Sequence, residues 1–232
     1  PPRSTLFPYT TLFRSRGYEN LDEQVRGLDR FGEQAHDIIS SPTTRNAFDL
    51  SLEKTSESTR FGRHEFGQSL LLASRLIEAG VHFVTVRLRP AEFDFDTHLD
   101  NFSKLSSLLP PFDKGLASLI DRLKERGLFR STAIMVAGEF GRTPKINGQG
   151  GRDHWARAMF ALMAGGDVEG GQVIGETDDR AGAPVGNGYS PDDLAASFFQ
   201  NIGINSKHEF QTNIGRPINL VRDGKPIAQL FS

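Results

Sequence analysis

"STAIMVAGEFGRTPKINGQGGRDHW", residues 131–155, decides how this chain is read. It opens as a short apolar run, the pattern of a buried strand, and from Gly138 becomes a loop crowded with charge. Between Gly138 and Trp155 lie two acids, two arginines, a lysine, a histidine and five glycines. A buried strand that runs out into such a loop predicts a ligand site at the strand's end.

Outward from that stretch, helical and strand-like patterns alternate. Phe66, Leu70, Ala73 and Ile77 fall at i, i+4, i+7 and i+11, an amphipathic helix with Gly80 as its stop. "VHFVTVRL", 81–88, reads as a buried strand, and "RPAEFDFDTHLDN", 89–101, as the loop after it. A helical stretch follows, interrupted at Pro110-Pro111. Leu116, Leu119, Ile120 and Leu123 mark the next helix, stopped by Gly127. "TAIMVAG", 132–138, is a second strand and "ARAMFALMAGG", 156–166, a third. "SPDDLAASFFQNIGI", 190–204, starts a helix with Ser190 as N-cap, Pro191 at the first position and Asp193 completing a capping box. Its Leu194, Phe198 and Ile202 are expected to face the core, with Gly203 as the stop. The alternation predicts an α/β domain with a mostly parallel sheet flanked by helices.

Nearer the start, 21–39 reads as a polar helix and 40–60, rich in Ser and Thr, as a connector. Residues 1–15, "PPRSTLFPYTTLFRS", carry two "TLF" copies, three prolines and no acid. They fit neither helix nor strand periodicity. They resemble translated sequencing-library adapter, with a real extended arm as the alternative. The expectation is that this segment is non-native and that upstream sequence is missing. Residues 16–232 then form the C-terminal part of one domain.

Composition narrows the function classes. A net charge of −2 gives no electrostatic footprint for nucleic acid, and no dense Lys/Arg run suits an anionic membrane surface. The absence of cysteine excludes disulfides, thiolate catalysis and Cys-type zinc sites. The longest apolar runs are far short of a membrane span.

Two loops carry chemistry. In "DFDTHLD" an extended backbone would point Asp96 and His98 to one side, a carboxylate and an imidazole fit for a divalent cation. Asp94 and Asp100 could join or support them; the alternative is an exposed acidic turn with Asp100 capping a helix. In the second loop Glu139 is either capped by N–H groups or a ligand, and Phe140 packs inward. Arg142, Lys145 and Arg152, with Gly148, Gly150 and Gly151, suit an oxyanion such as phosphate or sulfate. Of adjacent Asp153 and His154, one could ligate while the other orients a neighbour. A purely structural loop, with Glu139 paired to Arg142, is a further alternative. His36, His64, His82 and His208 read as surface or capping residues, and Trp155 as packing beside the site.

The segments "FGQSLLLASRLIEAGVHFVTV", "FDTHLDNF", "GEFGRTPKINGQGGRDHW", "GGQVIGETDD", "YSPDDLAASFFQNIGI" and "GRPINLV" resemble, in that order, the C-terminal part of domain of unknown function family 1501. The resemblance covers residues 16–232. It implies a planctomycete or related bacterial source, an alkaline-phosphatase-like fold of the phosphatase and sulfatase superfamily, and export from the cytoplasm. It further implies divalent metal ions, zinc first and calcium, magnesium or manganese as alternatives. Asp96 and His98 would bind one metal, Glu139 a second, and His154 would return to the first. Arg142, Lys145 and Arg152 would face the anion, with Asp153 and Asp100 in support. The implied activity is hydrolysis of phosphate or sulfate esters, on a small anionic ester or a sulfated or phosphorylated polysaccharide. Two departures stand out: Phe140 replaces a histidine of the phosphatase motif, and no counterpart of the superfamily's early aspartate and nucleophile is present. The chain alone is therefore expected not to catalyse. The alternative is a non-catalytic relative that binds anionic polysaccharide or a protein partner.

Overall fold

The computed structural model describes residues 32–33, 41–87, 94–186, 188–212 and 214–231. Residues 1–15, and all but 32–33 of the helix expected over 21–39, lie outside the described residues, as do 88–93 and His36.

The helical part is built on two helices. The first, α3 (Glu65–Glu78), is capped by the ring of His64, whose Nδ1 accepts the Gly67 N–H at 3.1 Å. Its Phe66, Leu70 and Ala73 are buried as their spacing predicts. The second, α4 (Asn101–Glu125), buries Leu119 and Leu123 against α3, and Phe61 and Leu71 complete the core cluster. The helices approach closely at Gly115: a Cβ there would sit 3.1 Å from Leu70 Cδ1 and 3.3 Å from Phe66 Cε1. The interruption expected at Pro110-Pro111 is absent, and α4 runs through both prolines. The carbonyls that lose a helical partner belong to Ser106 and Ser107, which are exposed and can be hydrated.

The connector expected over 40–60 is instead folded into α1 (Pro42–Phe48), a 3₁₀ turn (Leu50–Leu52) and α2 (Thr55–Phe61). Two arginines organise it. Arg75 donates to the Asn46, Ala47 and Asp49 carbonyls at the end of α1 and to Glu53 at 2.6 Å. Arg122, only 2% exposed, reaches Glu78 at 2.7 Å and Glu53 and Glu57 at 3.1 Å each. Burial disfavours its charge, and the hydrogen bonds it donates to Glu78 and Glu53 overturn that, leaving its pKa raised.

The expected parallel sheet is not present among the described residues. Strand β1 (Ile134–Ala137) pairs antiparallel with β4 (Ala161–Ala164), Ile134 opposite Ala164. Inside that pair, β2 (Gly141–Arg142) runs antiparallel to β3 (His154–Trp155). No helix intervenes between β1 and β4, so the chain doubles back on itself; parallel neighbours need a long crossover. The residues expected as a first strand form no ladder over 81–87. An alkaline-phosphatase-like sheet is therefore not the architecture described here. A short apolar run specifies burial and extension but carries no strand direction, which is why the alternation misled.

The last helix, α5 (Pro191–Asn201), has the expected capping box. Its buried face is small, Ala196 and Ser197, while Ile202 is 40% exposed and Leu194 and Phe198 are half-buried. The expected large apolar stripe is displaced because the C-terminal chain lies against α5: Ile227 N donates to Ser197 Oγ at 2.8 Å and Lys225 N to Asp193 Oδ1 at 2.8 Å. The stops expected at Gly80, Gly127 and Gly203 all fall at positive φ. Strands β5 (Glu209–Gln211) and β6 (Pro217–Asn219) form a separate exposed hairpin. No helix among the described residues is long and apolar enough to cross a membrane.

Candidate metal centre

The loop closing β2 and β3, residues 143–153, is stapled to the segment 97–101 before and into α4. Arg152 N donates to the Thr97 carbonyl at 2.9 Å, Asp100 N to Gln149 at 3.2 Å and Asn101 N to Gly150 at 3.0 Å. Thr97, 1% exposed, donates from Oγ1 to Asn101 Oδ1. Gly151 makes the close approach possible, since a Cβ there would collide with the His98 carbonyl.

This docking brings Asp96, His98 and His154 together. Their nearest ligand atoms lie within 4.8 Å of one another. His98 Nε2 is 3.0 Å from Asp96 Oδ1 and 3.1 Å from His154 Nε2, and His154 Nε2 is 3.1 Å from Asp96 Oδ1. The three atoms form a nearly equilateral triangle. Asp96 and His98 meet although the backbone between them is not extended. Thr97 N bonds the Phe95 carbonyl and His98 N the Asp96 carbonyl, each at 3.0 Å, two successive three-residue turns.

The donor set fits a borderline divalent cation. Tetrahedral zinc with bonds of about 2.0–2.1 Å spaces its ligand atoms about 3.3 Å apart, close to the triangle's edges. Two imidazole nitrogens facing each other at 3.1 Å would oppose lone pairs unless one carries a proton or a cation lies between them. The side chains are 42% to 50% exposed, which leaves positions open for water or a ligand.

The neighbours are electrostatically ordered. Asp153 Oδ1 lies 3.1 Å from His98 Nδ1. That bond, and another from Asn147, hold the Asp153 carboxyl below its ordinary pKa. Burial pushes Asp96 upward, but Arg142 and His154 outweigh it and keep it ionised. Arg142 forms an ion pair with Asp96, while its buried Nη1 has no hydrogen-bond acceptor in good geometry. Phe140 packs its ring 4.3 Å from that of His154 and 5.9 Å from the Arg142 guanidinium.

The remaining predicted residues lie farther out. Glu139, exposed between β1 and β2, is not part of the three-ligand group, though it lines the same groove as Asp96 and Arg142. Arg152 turns Nη1 into its own loop, onto the Thr143 and Pro144 carbonyls at 2.6 and 2.7 Å. Lys145 is exposed. Asp100 occupies the N-cap position of α4 at φ +49° without a side-chain cap bond. His82 and His208 are exposed. Trp155 donates its indole N–H to Gly182, fixing the loop 176–185 beside β3. The residue the sequence reading missed is Asn147, which bonds His98, Asp153 and its own loop. Its Asn-Gly step was the available signal, a turn former placed inside a cluster of ligands.

A family described as "Protein of unknown function (DUF1501)" matches residues 11–231. No curated protein and no solved structure matches the chain.

Proposed function

The chain belongs to the DUF1501 family, and from that premise we propose that it provides a divalent-metal centre for hydrolysis of phosphate or sulfate esters. The observation that carries the reading is the triangle of Asp96 Oδ1, His98 Nε2 and His154 Nε2 with edges of 3.0 to 3.1 Å. Zinc suits two imidazoles and one carboxylate best. The ester class is supported by the motif resemblance and by Arg142, whose planar fork matches oxyanion geometry.

A cation held here would supply Lewis-acid polarisation of an ester oxygen and activation of a water. Asp96, His98 and His154 would hold the ion, with Asp153 fixing His98 from behind. Arg142, paired with Asp96 in this structure, would face the anionic group of the ester beside the ion. Phe140 shields one flank of the His154 ring from water.

A second reading, favoured by Phe140 at the position of a phosphatase histidine, is a non-catalytic metal-dependent binder of anionic polysaccharide or a protein partner. Metal content decides the common premise. Inductively coupled plasma mass spectrometry should find zinc bound to the wild type and lost from an Asp96→Ala/His154→Ala double variant. Equal content in the two would remove the site. Turnover of aryl phosphate and aryl sulfate esters by the zinc-loaded full-length gene product then separates hydrolase from binder.

A further inference from the structure

Asn147 lies in the glycine-rich loop, yet its amide uses every hydrogen-bonding valence it has. Nδ2 donates to the His98 carbonyl at 2.9 Å and to Asp153 Oδ1 at 3.1 Å. Oδ1 accepts from Gln149 N at 3.0 Å and Gly151 N at 2.9 Å. Only one orientation of the amide serves two acceptors on one side and two backbone donors on the other, so the placement of O and N is fixed by its partners.

The consequence passes to His98. Asp153 Oδ1 receives the Asn147 N–H and also faces His98 Nδ1. The Asn147 bond orients that oxygen toward Nδ1, while Asp96 Oδ1 and His154 Nε2 face Nε2 at 3.0 and 3.1 Å. We infer that Asn147 is the positioning residue of this centre: through Asp153 it holds the His98 ring with Nδ1 turned to that carboxylate and Nε2 turned to Asp96 and His154, ready to bind a cation. The inference rests on the metal reading above for its purpose, but its physical content, the ring orientation held by Asp153, exists without metal.

The substitution Asn147→Asp separates the two halves of the amide. A carboxylate keeps an acceptor for Gln149 N and Gly151 N, preserving the loop, and replaces the donor facing Asp153 and His98. Asp153→Asn is the companion variant, altering the same relay without touching the loop amide. The His98 Nδ1–H proton resonance of 15N-labelled, metal-free protein, assigned with His98→Ala, reports the bond to Asp153. It should lie downfield and exchange slowly in the wild type, and move upfield or exchange away in both variants. Cobalt(II) affinity by chelator competition should fall about 10–100-fold in Asn147→Asp, with shifted visible bands and an unchanged far-ultraviolet spectrum.

An unchanged His98 Nδ1–H resonance in both variants would overturn the inference. A wild type that binds no cobalt while that resonance still responds to Asn147→Asp would instead sink the metal reading and leave the positioning role standing. Wild-type cobalt affinity in a folded Asn147→Asp would confine Asn147 to shaping the loop.

Discussion

Arg142 and His154 stand opposite each other across the two-residue ladder of β2 and β3, and both reach the same atom, Asp96 Oδ1. The ladder thus presents one permanent cation and one potential ligand to a single carboxylate. A metal ion bound as proposed would compete with Arg142 for Asp96 and leave the guanidinium beside it.

Removing that guanidinium should therefore leave the ion and weaken the anion. In zinc-loaded Arg142→Gln, orthophosphate or sulfate affinity by calorimetry should drop about 10- to 100-fold, the equivalent of a charged hydrogen bond worth about 1.5–3 kcal/mol. Zinc stoichiometry should stay at the wild-type value. Unchanged anion affinity would exclude Arg142 from the anion site.

The glycine loop offers a paired comparison. Gly151→Ala places a methyl against the His98 carbonyl, whereas Gly148→Ala meets nothing within 4 Å. The first should cost about 1–3 kcal/mol of stability by overpacking and lower zinc affinity; the second should do neither. Equal melting temperatures for the two would mean that the close approach of the loop to His98 does not hold the site.

Arg122 is the keystone of the helical half. Arg122→Met leaves Glu53, Glu57 and Glu78 without their shared partner, and removing one member of a buried ion cluster typically costs about 3–5 kcal/mol. Chemical denaturation reads this directly. A loss below about 1 kcal/mol, typical of exposed pairs, would show that the cluster is solvated in practice.

Acid stability should depend on Asp193. The backbone N–H of Lys225, then the N–H and hydroxyl of Ser190, hold its carboxyl below the ordinary value. The unfolded chain therefore takes up the proton first, near pH 4. The stabilisation is present above that pH and is lost as pH falls through the lower native value. Asp193→Ala should cost about 1 kcal/mol at neutral pH, as for a lost cap, and progressively less below pH 4. A constant difference down to pH 2 would contradict this.

What the sequence disclosed depended on range. The α3 stripe and the α5 capping box are local patterns, readable because helix periodicity and caps act within a few residues. Asp96 and His98 were legible as a carboxylate and an imidazole two positions apart, whereas residue chemistry left Asp153 and His154 open and only the family resemblance singled out His154. Strand direction was not, because the β1–β4 pairing depends on how the chain turns over residues 138–160. Nor was the folding of 42–61, whose order comes from Arg75 and Arg122, charges supplied by distant helices. Asn147 escaped notice because its role lies in four simultaneous bonds, and composition shows none of them.

Asp96 and His154 are 58 positions apart, with the whole of α4 between them. A cation shared by the two, as proposed, would close that stretch into a ring, as a disulfide would in a chain that has no cysteine to make one. On the chain-entropy account, a cross-link around a loop of that size removes about 4 kcal/mol of freedom from the unfolded ensemble. The centre would then act as a staple for the protein as well as a site: chelators should speed unfolding, and the melting temperature should climb with free zinc.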